Sequence, residues 1–476
     1  MSLKKMTGGE AVVESLLANE VEIVTGLIGS STLEILDGLY NNSDKIRYIG
    51  CIQESAGMHL SDGLARYTGK PSIFLSGQAG PGVTNTVTSM AQAKAAFSPV
   101  INLAGAISSE HKGLDAFQEV DQVRLMQPVS KKVFEVKDIE SIPLILNEGF
   151  KTAVEPRMGP VHIDLPRDVL GHSSEFEPPQ KYQIAKLPNA DEMSIQKSVK
   201  LLSESKKPVI LIGRAGIKNY GSEGTEAVIS LAELLNAPIT ASPGHNDSIP
   251  SSHPLYAGTA GPRGSGLGTN LLKEADVILV LGSRIGFNTS FYSYENINEK
   301  ASIIQCEIDQ KSIGRYFPVS VGILADAKTV AKQLYSSLKT AQLKQEVEDW
   351  SHQFKKNKKS YLDQREANAD SESVPILSSG LFKELRGSLP KDAIITLDAG
   401  TMCLQLTDAL DFNQPKSLFT PLDYGLIGFS FPAGLGIKLA SPDRPVVSFH
   451  GDGGFATCYQ ELATAVENKI NTIVIV

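Results

Sequence analysis

Cysteine and tryptophan are scarce in this 476-residue chain, which holds four of the first and one of the second. Cys51, Cys306, Cys403 and Cys458 stand far apart with no CxxC spacing, so neither a disulfide framework nor a zinc-ligand set is indicated, and they read as small buried hydrophobes in a reducing compartment. Long apolar runs are missing too. No window approaches the roughly 18 unbroken apolar residues that a membrane span requires, and the opening "MSLKKMTGGEAVVESLLANEVEIVTGL" has no hydrophobic leader. These absences predict a cytoplasmic protein without a membrane partner. There is no basic excess either: 45 Lys and Arg face 53 Asp and Glu, a net charge of -8, which argues against nucleic acid as a partner. No short-period repeat is found, which sets solenoids and propellers aside.

What is present is ordinary globular material, 41% hydrophobic and 21% charged, long enough for several cores. From Gly9 to about Leu170, short β-rich runs such as "EIVTGL", "SIFLSG" and "PVINLAG" alternate with helix-length segments such as "SAGMHLSDGLARY". Such alternation predicts βαβ units and a parallel sheet covered on both faces. A proline-bearing polar stretch, "GHSSEFEPPQKYQIAKLPNADE", reads as a linker. Alternation resumes with "KPVILIG" and "ADVILVLG", and once more with "AIITLDAG" and "PVVSFHGDGG". Between the second and third blocks a charged segment places Leu343, Val347, Trp350 and Phe354 at helical spacing. The expected organisation is therefore three doubly wound α/β domains over residues 1–175, 190–340 and 373–476, with a connecting helix and linker over 341–372.

The third block carries the clearest chemical signal. Strand "PVVSF" runs into His450, Gly451, Asp452, Gly453 and Gly454 and then into a helix. Glycines at a strand-to-helix turn let backbone N–H groups approach a phosphate, and the helix N-terminus adds partial positive charge. Asp452 in that cradle would repel a phosphate unless a hard cation lay between them, and Mg²⁺ is the natural bridge. Taken alone, GDGG fits a plain tight turn equally well. In the first block Glu54 falls where an extended run meets a helix, a place where a carboxylate also complements the macrodipole. The loop "GQAGPGVTN", Gly77 to Asn85, holds glycine and proline ahead of another helix. Two weaker signals stand apart. Gly428-Phe429-Ser430-Phe431-Pro432 lacks the closing glycine of a nucleophile elbow, so a hydrolase is discarded. The stretch "GPRGSGLG", with Arg263 and Gly286, suits a nucleotide in the middle domain, but no GxGxxG fits.

In order and spacing, "TGLIGSS", "QESAGMHLSDGLARYTGK", "GQAGPGVTN", "DAFQEVD", "GPVHIDLPRDV" and "GDGGF…QELATAVEN" resemble the thiamine-diphosphate enzymes of the acetolactate synthase-like group, which also includes sulfoacetaldehyde acetyltransferase. The resemblance spans residues 5–476, strongest in the first and third blocks. It implies a pyrimidine-binding domain, a central domain and a diphosphate-binding domain, with thiamine diphosphate and Mg²⁺ as cofactors and a 2-keto acid such as pyruvate as substrate. On its terms Glu54 matches the glutamate that hydrogen-bonds the pyrimidine ring, and Asp452 matches the metal ligand. Gly451, Gly453 and Gly454 match the diphosphate loop, and Gly400 and Thr401 a second phosphate-contacting loop. Ile427 matches the apolar prop beneath the cofactor, and the Gly425 carbonyl the acceptor of its amino group. Phe117, Gln118, Ile28, Gly29, Ser30 and Arg167 become substrate-side candidates, although Phe117 and Ile427 also suit a core and Arg167 a surface ion pair. The resemblance further implies a homodimer or homotetramer with active sites between chains. The motif's closing Asn falls due just past Val476, so a longer chain is expected and the sequence as it stands holds half of the metal site.

The match departs from acetolactate synthase at "GSRIGFNTSF". Arg284 is kept, but Phe287 and Asn288 stand near the place of the acidic pair that goes with the second substrate and with flavin. FAD is thus an open alternative, and so is the acceptor: "GLIGSS" resembles sulfoacetaldehyde acetyltransferases and "DAFQEVD" acetolactate synthase. From a different class comes a third reading, a non-catalytic binding or regulatory subunit with the same fold.

Overall fold

The computed structural model describes residues 3–185, 187–213, 221–341, 344 and 346–476. The chain forms two compact units, one of residues 1–185, 395–400 and 420–476 and the other of residues 186–394 and 401–419. Three parallel sheets form, one within each stretch of strand and helix alternation; of the third stretch, residues 395–400 and 420–476 belong to the first unit, and residues 373–394 and 401–419 to the second.

In the first unit a six-stranded sheet runs, in spatial order, Arg47–Gly50, Ile23–Leu27, Ser72–Ser76, Val100–Ala106, Val161–Pro166 and Lys132–Glu135. Every pairing is parallel. Its central strands are buried on both faces, as a sheet covered by helices on each side demands. Ser173–Phe176, within the stretch read as a linker, instead pairs antiparallel with Lys4–Thr7. Thr7 then caps the Gly8–Ala18 helix in a reciprocal box with Glu10.

The C-terminal part of this unit sets Val446–Phe449 beside Ile473–Ile475 in parallel. Here the Ser430–Ala440 helix crosses the Glu54–Thr68 helix at close range. A β-carbon on Gly63 would come within 3.0 Å of the Ala433 backbone, and one on Gly436 within 3.0 Å of the Leu60 carbonyl. Only glycine allows two helix backbones to approach so far. Beside the crossing Arg66 makes a two-pronged pair with Asp62, donates to the Thr420 carbonyl at 2.8 Å and lies over the Phe429 ring at 4.8 Å.

The second unit holds a six-stranded parallel sheet ordered Tyr256–Thr259, Ile239–Ala241, Pro208–Ile212, Val277–Leu281, Ser302–Glu307 and Val321–Leu324. The charged connecting segment forms the Glu346–Ala367 helix and seats Val347, Trp350 and Phe354, with the Trp350 indole donating to the Pro208 carbonyl at 3.3 Å. Leu343, expected in the same stripe, lies outside the described residues. Among those described, no helix is long and apolar enough to cross a membrane, and all four cysteines are buried thiols outside any disulfide.

Candidate functional site

Glu54 opens the Glu54–Thr68 helix behind Gln53, whose side chain caps the turn by accepting from the Ala56 amide at 3.0 Å. The carboxylate is buried at the helix N-terminus, where the macrodipole favours negative charge. Its Oε2 accepts from the Asn85 side-chain amide at 2.9 Å. Asn85 closes the short Pro81–Thr84 helix, so the Gly77–Asn85 loop is hooked directly onto Glu54.

The same loop joins three of the substrate-side candidates, Gly29, Ser30 and Gln118. Gln78 Oε1 accepts from the Ser30 backbone and hydroxyl at 2.9 and 3.1 Å, while the Gln78 amide nitrogen donates to Gln118. Gly29 packs so tightly on Gly77 that a β-carbon there would fall within 3.0 Å of its backbone. Two loops far apart in sequence thus share one glutamine, which the motif reading had not singled out. Phe117 is 86% exposed and Ile28 69% exposed, so neither belongs to the core. Arg167 is exposed at the start of the Arg167–Gly171 helix, and Asp168 beside it accepts from the Ser109 amide at 3.0 Å.

In the C-terminal part, Gly451 precedes the Asp452–Ala456 helix and Asp452 is exposed in its first turn. A β-carbon on Gly451 or Gly453 would meet nothing within 4 Å, whereas one on Gly454 would collide with the Asp398 carboxylate. The turn is therefore open outward and packed inward. Asp398, fully buried, accepts from the amides of Gly428, Phe429 and Ser430 at 2.9, 2.8 and 3.2 Å. The "YGLIGFS" turn is so fixed against the glycine turn, with Ile427 47% exposed and Gly425 in a left-handed conformation at φ 87°. Gly400 ends the Ile395–Gly400 segment of this unit at φ 140°. Thr401 opens the Thr401–Ala409 helix and belongs to the second unit.

A buried carboxylate joins the two halves of the first unit. Glu461 accepts from the backbone amides of Ile52 at 3.2 Å and Gln53 at 3.1 Å and from the Thr464 hydroxyl at 2.6 Å. Burial nevertheless holds its carboxyl above the usual range. His59, wholly buried on the Glu54 helix near Ser89, has its pKa pushed down to about 4 by desolvation.

The glycine turn suits a diphosphate, and Asp452 offers a single carboxylate to a cation beside it. Open N–H groups follow a parallel strand, and one exposed carboxylate lies in the turn. Mg²⁺ commonly takes one or two protein carboxylates and completes its shell with phosphate oxygens and water. Among the described residues no cluster of three His, Cys, Asp or Glu could hold a metal by itself.

Comparison with known proteins accounts for all three blocks. Residues 6–125 match the family described as thiamine pyrophosphate enzyme, N-terminal TPP binding domain. Residues 195–334 match its central domain and residues 398–476 its C-terminal TPP binding domain. The chain belongs to the thiamine pyrophosphate enzymes. Relatives within the family include a probable acetolactate synthase large subunit of Methanocaldococcus jannaschii, 34% identical over 98% of this chain and 79% of the relative. Another is the acetolactate synthase isozyme 1 large subunit of Escherichia coli (strain K12), 33% identical over 99% of this chain and 81% of the relative. A sulfoacetaldehyde acetyltransferase of Alcaligenes xylosoxydans xylosoxydans is 31% identical over 99% and 81%. As a thiamine pyrophosphate enzyme the chain is similar to relatives of both names.

The motif reading located the glycine turn and Glu54 but missed Asn85, Gln78, Asp398 and Glu461. All four stood inside the quoted stretches, yet only their hydrogen bonds single them out.

Proposed function

We propose that the protein is a thiamine-diphosphate- and Mg²⁺-dependent enzyme that decarboxylates a 2-keto acid, with pyruvate the first choice, and transfers the two-carbon unit in the manner of acetolactate synthase. The observation that carries the reading is the buried Glu54 carboxylate, poised at a helix N-terminus and hooked to Asn85, in a member of this family. Thiamine diphosphate, when bound, supplies an electron sink for the pair released as CO₂ leaves. This chain's own residues would do the rest. Glu54 would hold the pyrimidine ring by a charge-assisted hydrogen bond in a water-poor pocket. Asp452 would ligate Mg²⁺, with Gly451, Gly453 and Gly454 presenting the turn to the diphosphate. The Gly425 carbonyl would accept from the amino group, and the exposed Ile427 would support the cofactor from below. Gln118, Phe117, Ser30 and Arg167 would face the substrate and exclude water. The enzyme would work in the cytoplasm as a homodimer or homotetramer, Glu54 of one protomer sharing a cofactor with Asp452 of its partner, and acetolactate formation would place it in branched-chain amino acid biosynthesis.

The sulfoacetaldehyde acetyltransferase relative supports a second reading, in which sulfoacetaldehyde is the donor and phosphate the acceptor. One assay separates the two. Release of CO₂ from pyruvate with saturating thiamine diphosphate and Mg²⁺ is expected. No release from pyruvate, together with turnover of sulfoacetaldehyde and phosphate, would establish the second reading in its place.

A further inference from the structure

Gln118 occupies a backbone region that L-residues with long side chains rarely adopt, at φ 66°. Something must hold it there. Part of the restraint is Gln78, and part is Gly80, itself left-handed at φ 69°, where a β-carbon would lie within 3.0 Å of the Gln118 carbonyl oxygen. Gly80 is fixed in turn: its amide donates to Gln122 Oε1 at 2.8 Å. Gln122 Nε2 donates to Asp164 Oδ1 at 2.7 Å, and His162 Nε2 meets the same oxygen at 2.7 Å. His162 Nδ1 lies 3.2 Å from the Asn102 side-chain nitrogen, and Asn102 Oδ1 accepts from the Ser76 hydroxyl at 2.8 Å.

The chain of contacts leaves little freedom. Because the Asn102 oxygen is taken by Ser76, its NH₂ must donate to His162 Nδ1, which fixes the imidazole proton on Nε2, directed at Asp164. All five side chains are buried, Gln122 at 4% exposure, Asp164 at 6%, and His162, Asn102 and Ser76 at 0%. His162 and Asp164 share one face of the Val161–Pro166 strand by its two-residue period, where apolar side chains would pack without any need for partners. Their polarity leads outward, from the sheet to the Gly80 amide and to a cavity of about 520 Å³ at the strand ends, lined in part by Gln118, Gln122 and Asp164.

We propose that His162, Asp164 and Gln122 are positioning residues: a buried relay that holds Gly80, and through it the strained Gln118 turn, in the geometry that binds the 2-keto acid. The proposal rests on the reading of Gln118 as a substrate-side residue.

The test uses the full chain loaded with thiamine diphosphate and Mg²⁺. Gln122→Leu and His162→Leu are expected to raise KM for pyruvate roughly five- to tenfold, the size of one lost buried hydrogen bond, with kcat little changed. Asp164→Asn, which keeps an acceptor oxygen for both donors, is expected to retain most of the affinity. Amide hydrogen exchange across residues 77–85 and 113–122 should quicken in the two Leu variants, a readout that needs no turnover. Should either Leu variant fail to fold, Gln122→Glu serves instead, since it keeps the acceptor for Gly80 but sets a carboxylate against Asp164, and it too should quicken exchange in both segments. A lowered Tm with unchanged KM, or unchanged exchange in both segments, would overturn the proposal. A wild-type enzyme inert toward pyruvate would defeat the proposed substrate and leave the exchange measurement to decide the relay.

Discussion

The Asp398 carboxylate fills the space that a β-carbon on Gly454 would need. It reaches that place because three consecutive amides, of Gly428, Phe429 and Ser430, hold it there. The glycine turn and the "YGLIGFS" turn are consequently one rigid construction, and a methyl group at residue 454 cannot be accommodated unless Asp398 leaves its donors.

Gly454→Ala should therefore weaken thiamine diphosphate binding even though the substituted atom faces away from the open side of the turn. Asp398→Ala, which orphans three buried amides, should cost about 3 kcal/mol or more of stability. Titration calorimetry with thiamine diphosphate and Mg²⁺, alongside thermal denaturation, checks both. Binding of the Gly454→Ala protein at wild-type affinity would contradict the packing described.

Glu54→Gln keeps the shape of the side chain but loses its charge. On the proposed function it should slow exchange of the cofactor's C2 proton by roughly 10²- to 10⁴-fold, the usual reach of a positioned acid or base. Asn85→Ala, which removes only the hook to Glu54 Oε2, should slow it by about tenfold, as loss of one hydrogen bond to a charged group implies. Proton exchange followed by NMR measures both. An Asn85→Ala protein slower than Glu54→Gln would reverse the assigned order of importance.

Glu461 links Ile52 and Gln53 to the C-terminal half of the first unit, and burial raises its carboxyl pKa. Between the unfolded value of about 4.3 and the higher folded one, the folded chain keeps a proton that the unfolded chain has released. Its contribution to stability is thus present below the unfolded pKa and is lost as pH rises through the folded one. Glu461→Gln can still accept from the two amides and should remove this decline. Urea midpoints taken from about pH 4 upward should diverge between the two proteins, with the variant gaining relative stability as pH rises.

His59 acts in the opposite direction. Its folded pKa of about 4 lies below the unfolded value near 6.5, so the unfolded chain binds the proton first. Stability from keeping this ring uncharged is present above about pH 6.5 and falls away toward pH 4, by at most about 1.4 kcal/mol per pH unit. His59→Gln should flatten that acid limb in a denaturant series. An identical slope in the variant would assign acid lability to other groups.

Much of this was written in local patterns. Strand and helix alternation is set by side-chain periodicity along the chain, which is why each stretch of alternation holds one of the three parallel sheets. The Gly451–Gly454 turn and Glu54 were legible because glycine and helix-start carboxylates have recognisable local chemistry. The pairing of Ser173–Phe176 with Lys4–Thr7 was not, since an edge strand needs only a partner and its partner lies at the other end of the domain.

The sequence by itself determined the fold class, the family and the glycine turn, all of which depend on residue types at short and regular spacing. Only the tertiary structure decided that Gln78 serves two distant loops, that Asp398 underpins Gly454, that Glu461 reaches Gln53, and that His162 and Asp164 lead to Gly80. Such links are hydrogen bonds and close contacts between residues tens or hundreds of positions apart, and the direction of a buried polar side chain is fixed by partners that only folding brings within reach.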